Sequence, residues 1–331
     1  MADGNPSRVG QVNESGAVDA LFLKQFGGEV LTMFDASNVT QGRVMERNIQ
    51  NGKTAQFPLI GSVGSGYHTP GSEITGQTVP HAEQTIELEG LLYSDIFLDN
   101  IDELQNHYDV RQPYASEMGA ELATQFDDHN FRSIIKSARA ASPLSDPKAN
   151  PGEVIYSSSM ASDSKVLRDT AFTAAKTFDE KNVPAMERYW ALAPAQYYIL
   201  IQRNDIMNRE LGGRGSLADA ELPELANFKI LKSNQIPMSD DSSNSDLLSK
   251  YQINASATKG AFWYKRAAGV LKLRSMSMET NWDFRRQGYL SLAKMAVGHD
   301  KLRQDCAIEM QAVASGSVVG SPASKTGVIS Y

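Results

Sequence analysis

The sequence predicts a mixed α+β protein, because two hydrophobic periods occupy different stretches of the chain. Apolar residues step by four near 22–34 and again near 114–138, as on amphipathic helices. Around 55–59, 228–237 and 271–299 they alternate with polar residues, as in half-buried strands. Helical patterns in the middle of the chain and strand patterns toward its end fit the α+β class. With 331 residues, 41% of them hydrophobic, the chain can bury a sizeable core.

Taken in order, residues 1–16 are polar and aperiodic and predict a disordered leader. Phe22, Phe26, Val30 and Phe34 then predict a helical arm, which Gly27 and Gly28 should bend or divide, since a Gly pair costs about 2 kcal/mol relative to Ala inside a helix. In KTAQFPLIG the residues Ala55, Phe57 and Leu59 alternate as a strand, and Pro58, lacking a donor, confines it to an edge or an outlying arm. TIELEGLL returns with Ile86 and Leu88 on one face and Thr85, Glu87 and Glu89 on the other. Between them, residues 61–82 carry five glycines with Pro70 and Pro80, so the pair reads as a long hairpin with a loop tip. A two-stranded hairpin is marginal alone, so its apolar face must dock on its own domain or on a neighbour.

Tyr114, Met118, Leu122, Phe126, Phe131, Ile134, Ile135 and Ala138 predict a long helix after Asp109, ended by SPLSDPKANPG at 142–152. Ser162 or Ser164 should cap a second helix that carries Leu167, Ala171, Ala174 and Phe178 and stops before Pro184. RYWALAP reads as a buried strand and PAQYYILIQR as a helix opened by Pro194. Residues 204–224 and 239–249 read as loops flanking the strand FKILKSNQIP. LKLRSMSMETNWDF and GYLSLAKMAVGH follow as strands, and the residues after 313 read as a flexible tail by composition.

Charge is unevenly placed. Residues 73–128 hold thirteen Asp or Glu against Arg111 alone, while 262–303 hold nine Lys or Arg against three acids. Such complementary stretches favour protein contacts over nucleic acid. The mean hydropathy is −0.36 and no run of about 18 apolar residues exists to cross a membrane. The start has no basic and apolar signal pattern, and the single Cys306 can close no internal disulfide, so a reducing cytoplasm is expected.

Candidate chemistry is thin. GKT at 52–54 lacks the first P-loop glycine, where Arg47 stands, and a strand pattern follows it in place of a helix. GSVGSG at 61–66 has the wrong glycine order for a dinucleotide loop. His68, His81, His107, His129 and His299 form no paired metal spacing. Asp127, Asp128 and His129 read as a solvated helix face, and Cys306 as a buried thiol. No catalytic, cofactor or metal residue is expected.

The stretches LFLKQFGGEVLTMF (21–34), NGKTAQFPLIG (51–61), NHYDVRQPYASEMGAELA (106–123) and VGHDKLR (297–303) occur in the order found in the major capsid proteins of T-seven-like podophages, which the chain resembles almost end to end. That resemblance implies the tailed-phage capsid fold of the Hong Kong 97 type. Its parts would be an N-terminal arm to residue 50, an E-loop hairpin at 51–93, and a peripheral domain at 94–150 and 261–313 with a spine helix near 109–141. An axial domain would take 151–260, and 314–331 would be a flexible tail. It further implies a virion protein, assembled in the host bacterial cytoplasm as hexamers and pentamers of itself into an icosahedral head. Scaffolding protein, a portal at one vertex and weakly contacted double-stranded DNA are the implied partners, with no membrane and no cofactor. Assembly residues are then expected in the E-loop clasp (Phe57, Pro58, Leu59, Ile86, Leu88) and in charge pairing of Arg285 and Arg286 with Glu87 and Glu89. The alternatives are a cellular nanocompartment shell of the same fold and a nucleotide-binding enzyme using GKT.

Overall fold

A computed structural model describes residues 20–99, 111–146, 148–202 and 222–328. The expected leader at 1–16, His107 and most of the 204–224 loop lie outside them. The chain divides into two compact units. One takes the chain through Asn38, Leu88–Asp127 and Lys272–Val297; the other takes Val39–Glu87, Asp128–Leu271 and the chain from Gly298 on. The hairpin and residues 298–313 fall in the second unit.

In the first unit, α1 (Ala20–Ser37) runs through Gly27 and Gly28 as one unbroken helix. Tertiary contact overrides the glycine penalty: α1 lies so close to α2 (Arg111–Arg139) that a Cβ on Gly119 would stand 2.5 Å from the Val30 carbonyl oxygen. Phe34 meets Phe126 edge to face, with centroids 5.9 Å apart. The Tyr114-to-Ala138 stripe thus belongs to a single helix, its first turns in this unit and its last in the other.

In the second unit come β1 (Met45–Asn48), β2 (Thr54–Ile60) and β3 (His81–Glu87). The last two form an isolated antiparallel ribbon, with Thr54 opposite Glu87 and Ile60 opposite His81. The returning strand therefore starts earlier than TIELEGLL. Leu91 and its successors open a separate strand, β4 (Leu91–Asp99), in the first unit, since Gly90 breaks the run.

The core of the second unit is a seven-stranded sheet. Its strands are β5 (Glu153–Tyr156), β6 (Arg188–Leu192), β7 (Glu224–Leu225), β8 (Phe228–Lys232), β9 (Thr258–Tyr264), β12 (Ala307–Gln311) and β13 (Lys325–Gly327). Their order is β13-β5-β12-β9-β6-β8-β7. Helix α3 (Ser164–Glu180) packs through Leu167, Ala171, Ala174 and Phe178, as the periodicity requires, but its N-cap is Asp163, whose carboxylate accepts from the Lys165 amide. Pro194 opens α4 (Pro194–Ile201). Trp190 stacks on Phe262 at 4.8 Å, and Phe262 meets Phe228, which meets Phe178, so one aromatic chain ties sheet to helix.

Most of two more strands, residues 272–297, lies in the first unit. β10 (Ala268–Asp283) and β11 (Gly288–Lys301) are neighbours joined by the turn at 284–287, and β11 pairs with β4 from Leu91 opposite Ala296 to Asp99 opposite Gly288. The tail is a correction over its described part. Residues 319–328 are docked, with β13 parallel to β5, because backbone pairing and two buried side chains hold what composition marked as free.

Candidate assembly surface

The β2–β3 hairpin is anchored at its root and bare at its tip. Ala55, Phe57 and Ile86 are buried in this chain, Phe57 at 6% exposure and Ile86 at 0%. Of the two expected ways to cover the hairpin's apolar face, Phe57 and Ile86 take the first, burial within their own chain. Arg47 lies over the Phe57 ring at 5.4 Å and donates to the Gln56 carbonyl at 2.9 Å, holding that strand from outside. Leu59 and Leu88 are half-buried and Pro58 is exposed. Beside them lies a cavity of about 620 Å³, walled by Pro58, Leu59, Leu144 and Leu302.

A latch closes the root. Asp146 accepts from the Ser62 amide at 2.6 Å, the Ser62 hydroxyl at 2.7 Å and the Lys148 amide at 2.9 Å. These donors, the Ser62 amide foremost, hold its carboxyl below the ordinary range. Beyond it the two limbs are crossed by Gly61 N–H to Pro80 O at 2.9 Å and Gly64 N–H to the Gln77 side-chain oxygen at 3.0 Å. The end is a turn through Pro70 and Gly71, where Ser72 N–H reaches the Thr69 carbonyl and Gly71 takes φ +90°, which a side chain would resist.

The apolar residues of this tip have no cover. Ile60, Val63 and Ile74 are 68%, 65% and 78% exposed, and Tyr67 is fully exposed. A lone exposed apolar residue is ordinary, but four at one end of a single hairpin are not. The expected clasp residues lie on the strands, where alternation marks them; the loop's own Ile and Tyr, visible in the sequence, follow no period.

The charged residues fare differently. Arg285 and Arg286 lie exposed in the β10–β11 turn, where Arg286 pairs with Asp283 at 3.7 Å and the Arg285 amide binds the same carboxylate. Phe284 beside them is exposed too. Glu87 ends β3 in the open and Glu89 is half-buried.

The helix face at 127–129 is not solvated. Asp127 and His129 are buried, and Asp128 binds Arg132 at 2.7 Å. Arg132 also reaches Asp241 at 2.6 Å and the Tyr251 carbonyl at 3.2 Å, tying α2 to the chain near 241–251. Burial pushes the Asp128 carboxyl up against the pull of Arg132. Burial acts the same way on Asp241, but hydrogen bonds from Arg132 and Ser239 prevail and hold it down. His129 stacks on Tyr251 with centroids 4.1 Å apart, and His299 stands edge-on to it at 5.5 Å, so two of the scattered histidines meet. About two turns beyond Arg132, Arg139 forks onto Glu309 at 2.6 and 2.7 Å. Buried charges need partners distant in sequence, which local patterns do not reveal. Cys306 is a buried thiol whose pKa burial pushes up, not a nucleophile. GKT runs from a bend into the first residue of β2, with Gly52 at φ +107° and Lys53 exposed.

Residues 56–311 match a family model described as Gp10A-like, major capsid protein. The major capsid protein of Escherichia phage T7 is 29% identical over 315 residues, covering 87% of this chain and 90% of that protein. A solved capsid structure of Cyanophage P-SCSP1u is 35% identical with a TM-score of 0.76, covering 95% of this chain and all of that one. The mature capsid of bacteriophage PhiM1 shares the fold at 16% identity, TM-score 0.70, with 93% and 96% of the two chains covered.

Proposed function

The chain belongs to the Gp10A-like major capsid protein family, and from that membership we propose that its hairpin tip is the clasp by which each subunit grips the next in an icosahedral phage head. It is a virion structural protein with the tailed-phage capsid fold. The observation that carries the clasp is the contrast along one hairpin, buried at Phe57 and Ile86 and bare at Ile60, Val63, Tyr67 and Ile74. Burying a Leu, Ile, Val or Phe side chain is worth about 1.5–3 kcal/mol, before ordering costs are subtracted. A closed shell repeats each contact many times, so modest pairwise energies suffice. Leu59, Leu88 and Pro58 at the root form the border of the clasp.

Hexamers and pentamers of the chain enclose double-stranded DNA, with a scaffolding protein during assembly and a portal at one vertex. Arg285 and Arg286 are exposed at the end of a projecting hairpin, which suits contact with the acidic stretch of a neighbour through residues such as Glu87 and Glu89. The net charge of −7 keeps DNA contact weak. The test is negative-stain microscopy of the chain expressed with a scaffolding partner. Closed, uniform particles support the proposal; soluble monomers or amorphous aggregates under those conditions refute it.

A further inference from the structure

The seven-stranded sheet has two edges, and both are blunted. At one end β7 is only two residues long. At the other, β5 would present its backbone to solvent, but the C-terminal segment lies along it. The Val154 amide donates to the Ser324 carbonyl at 3.0 Å, and the Val328 amide to the Tyr156 carbonyl at 3.0 Å, with Lys325, Thr326 and Gly327 in parallel register against Val154, Ile155 and Tyr156. Two buried polar side chains reach the same segment. The Gln311 amide donates to the Val319 carbonyl and accepts from the Val319 amide, both at 2.9 Å. The Glu153 carboxylate accepts from the Thr326 hydroxyl while Lys181 binds its other oxygen at 2.9 Å. Both Gln311 and Glu153 are buried.

Tails that merely rest on a surface do not meet matched polar anchors in the interior, since a buried amide or carboxylate left unpaired costs about 1–3 kcal/mol. The groove is therefore shaped for an extended strand with a hydroxyl at one position and a free backbone amide and carbonyl seven residues before it. An open edge of buried, apolar strands such as β5, with Val154 and Ile155 fully covered, is a template for pairing with another chain. The tail's own outer side is a poor template, being three residues long with Lys325 exposed.

We propose that the outer edge of β5, with Gln311 and Glu153 as polar anchors, is a strand-accepting peptide site that residues 318–328 fill in cis, which stops the sheet from pairing edge to edge with a second copy. Association is thereby left to other surfaces. The site is independent of the hairpin tip, and its failure leaves the clasp untouched.

The test compares the full chain with one ending at Ala314, by sedimentation and thioflavin fluorescence. The truncated chain should form irregular β-rich aggregates at a concentration about tenfold lower than the full chain. A synthetic peptide of residues 318–328 should restore the full-length threshold, while a scrambled peptide and one carrying Thr326→Val should not. A truncated chain that stays as soluble as the full one, or equal rescue by the scrambled peptide, overturns the proposal. Should truncation prevent folding, hydrogen exchange on the full chain decides. The Val154 and Val328 amides should exchange about a hundredfold more slowly than free chain, and Thr326→Val should weaken that protection. Unprotected amides overturn the proposal.

Discussion

The root and the tip of the β2–β3 hairpin have similar apolar content and opposite fates. At the root, Phe57 and Ile86 are covered by the second unit, Arg47 spans the Phe57 ring, and Asp146 ties Ser62 down. At the tip, Ile60, Val63, Tyr67 and Ile74 face solvent, while the two limbs are crossed by the Gly61–Pro80 and Gly64–Gln77 hydrogen bonds. The root serves the fold of its own chain, and the tip is the part we propose for contact with a neighbour. An anchored root gives a bare tip its use: a hairpin held at its base presents apolar groups with less ordering cost than a free loop would.

The sharpest break in that comparison is made in the interior. Arg139→Ala leaves the fully buried Glu309 carboxylate without its forked partner and should cost the isolated subunit about 3–5 kcal/mol in urea unfolding. At the root, Phe57→Ala should cost about 3–5 kcal/mol in the same experiment, since Phe57 is 6% exposed. A loss below about 0.5 kcal/mol, the range of ordinary surface changes, would return Phe57 to the clasp. Charge reversal at Arg285 and Arg286 should leave unfolding unchanged and weaken shells in a salt-dependent way, each exposed pair being worth about 0–1 kcal/mol. Equal loss of monomer stability would place these residues in the fold.

The smallest effect lies at the latch. The Asp146 carboxyl is depressed in the folded chain by its donors from Ser62 and Lys148. Its contribution is therefore present above the unfolded carboxylate value, about 3.9, and is lost as pH falls through the lower folded value. Thermal midpoints of the native chain and of Asp146→Asn should converge as pH falls through that window. A difference that stays constant with pH would mean that another group holds the hairpin.

Much of this fold is written in local patterns. The step of four from Leu167 to Phe178 gives α3, and the run at Arg188–Leu192 gives a fully buried strand. Long-range contacts are where local reading ends. Gly27 and Gly28 should break α1, but the close approach of α2 at Gly119 keeps the helix whole. Asp127, Asp128 and His129 look solvated because Asp241 and Tyr251, which bury or pair with this face, lie more than a hundred residues away. The tail looks free because Gln311 and Glu153, its anchors, belong to two other strands. The hairpin itself was legible from the sequence, but which of its apolar residues the chain covers was not, since alternation marks strands and aperiodic loops hide their apolar residues.

The central claim is that the tip serves assembly and not the subunit's fold, and replacing residues 63–79 with a short turn, which keeps the Ser62–Asp146 latch, tests it most directly. Because Ile60 and His81 close the ribbon as a pair, the replacement leaves β2 and β3 in register. Circular dichroism and urea unfolding of the altered subunit should match the native chain, while sedimentation in the presence of scaffolding protein should show small species in place of fast-moving shells. Normal shells from this variant would contradict the clasp, and an unfolded subunit would show that the tip belongs to the core.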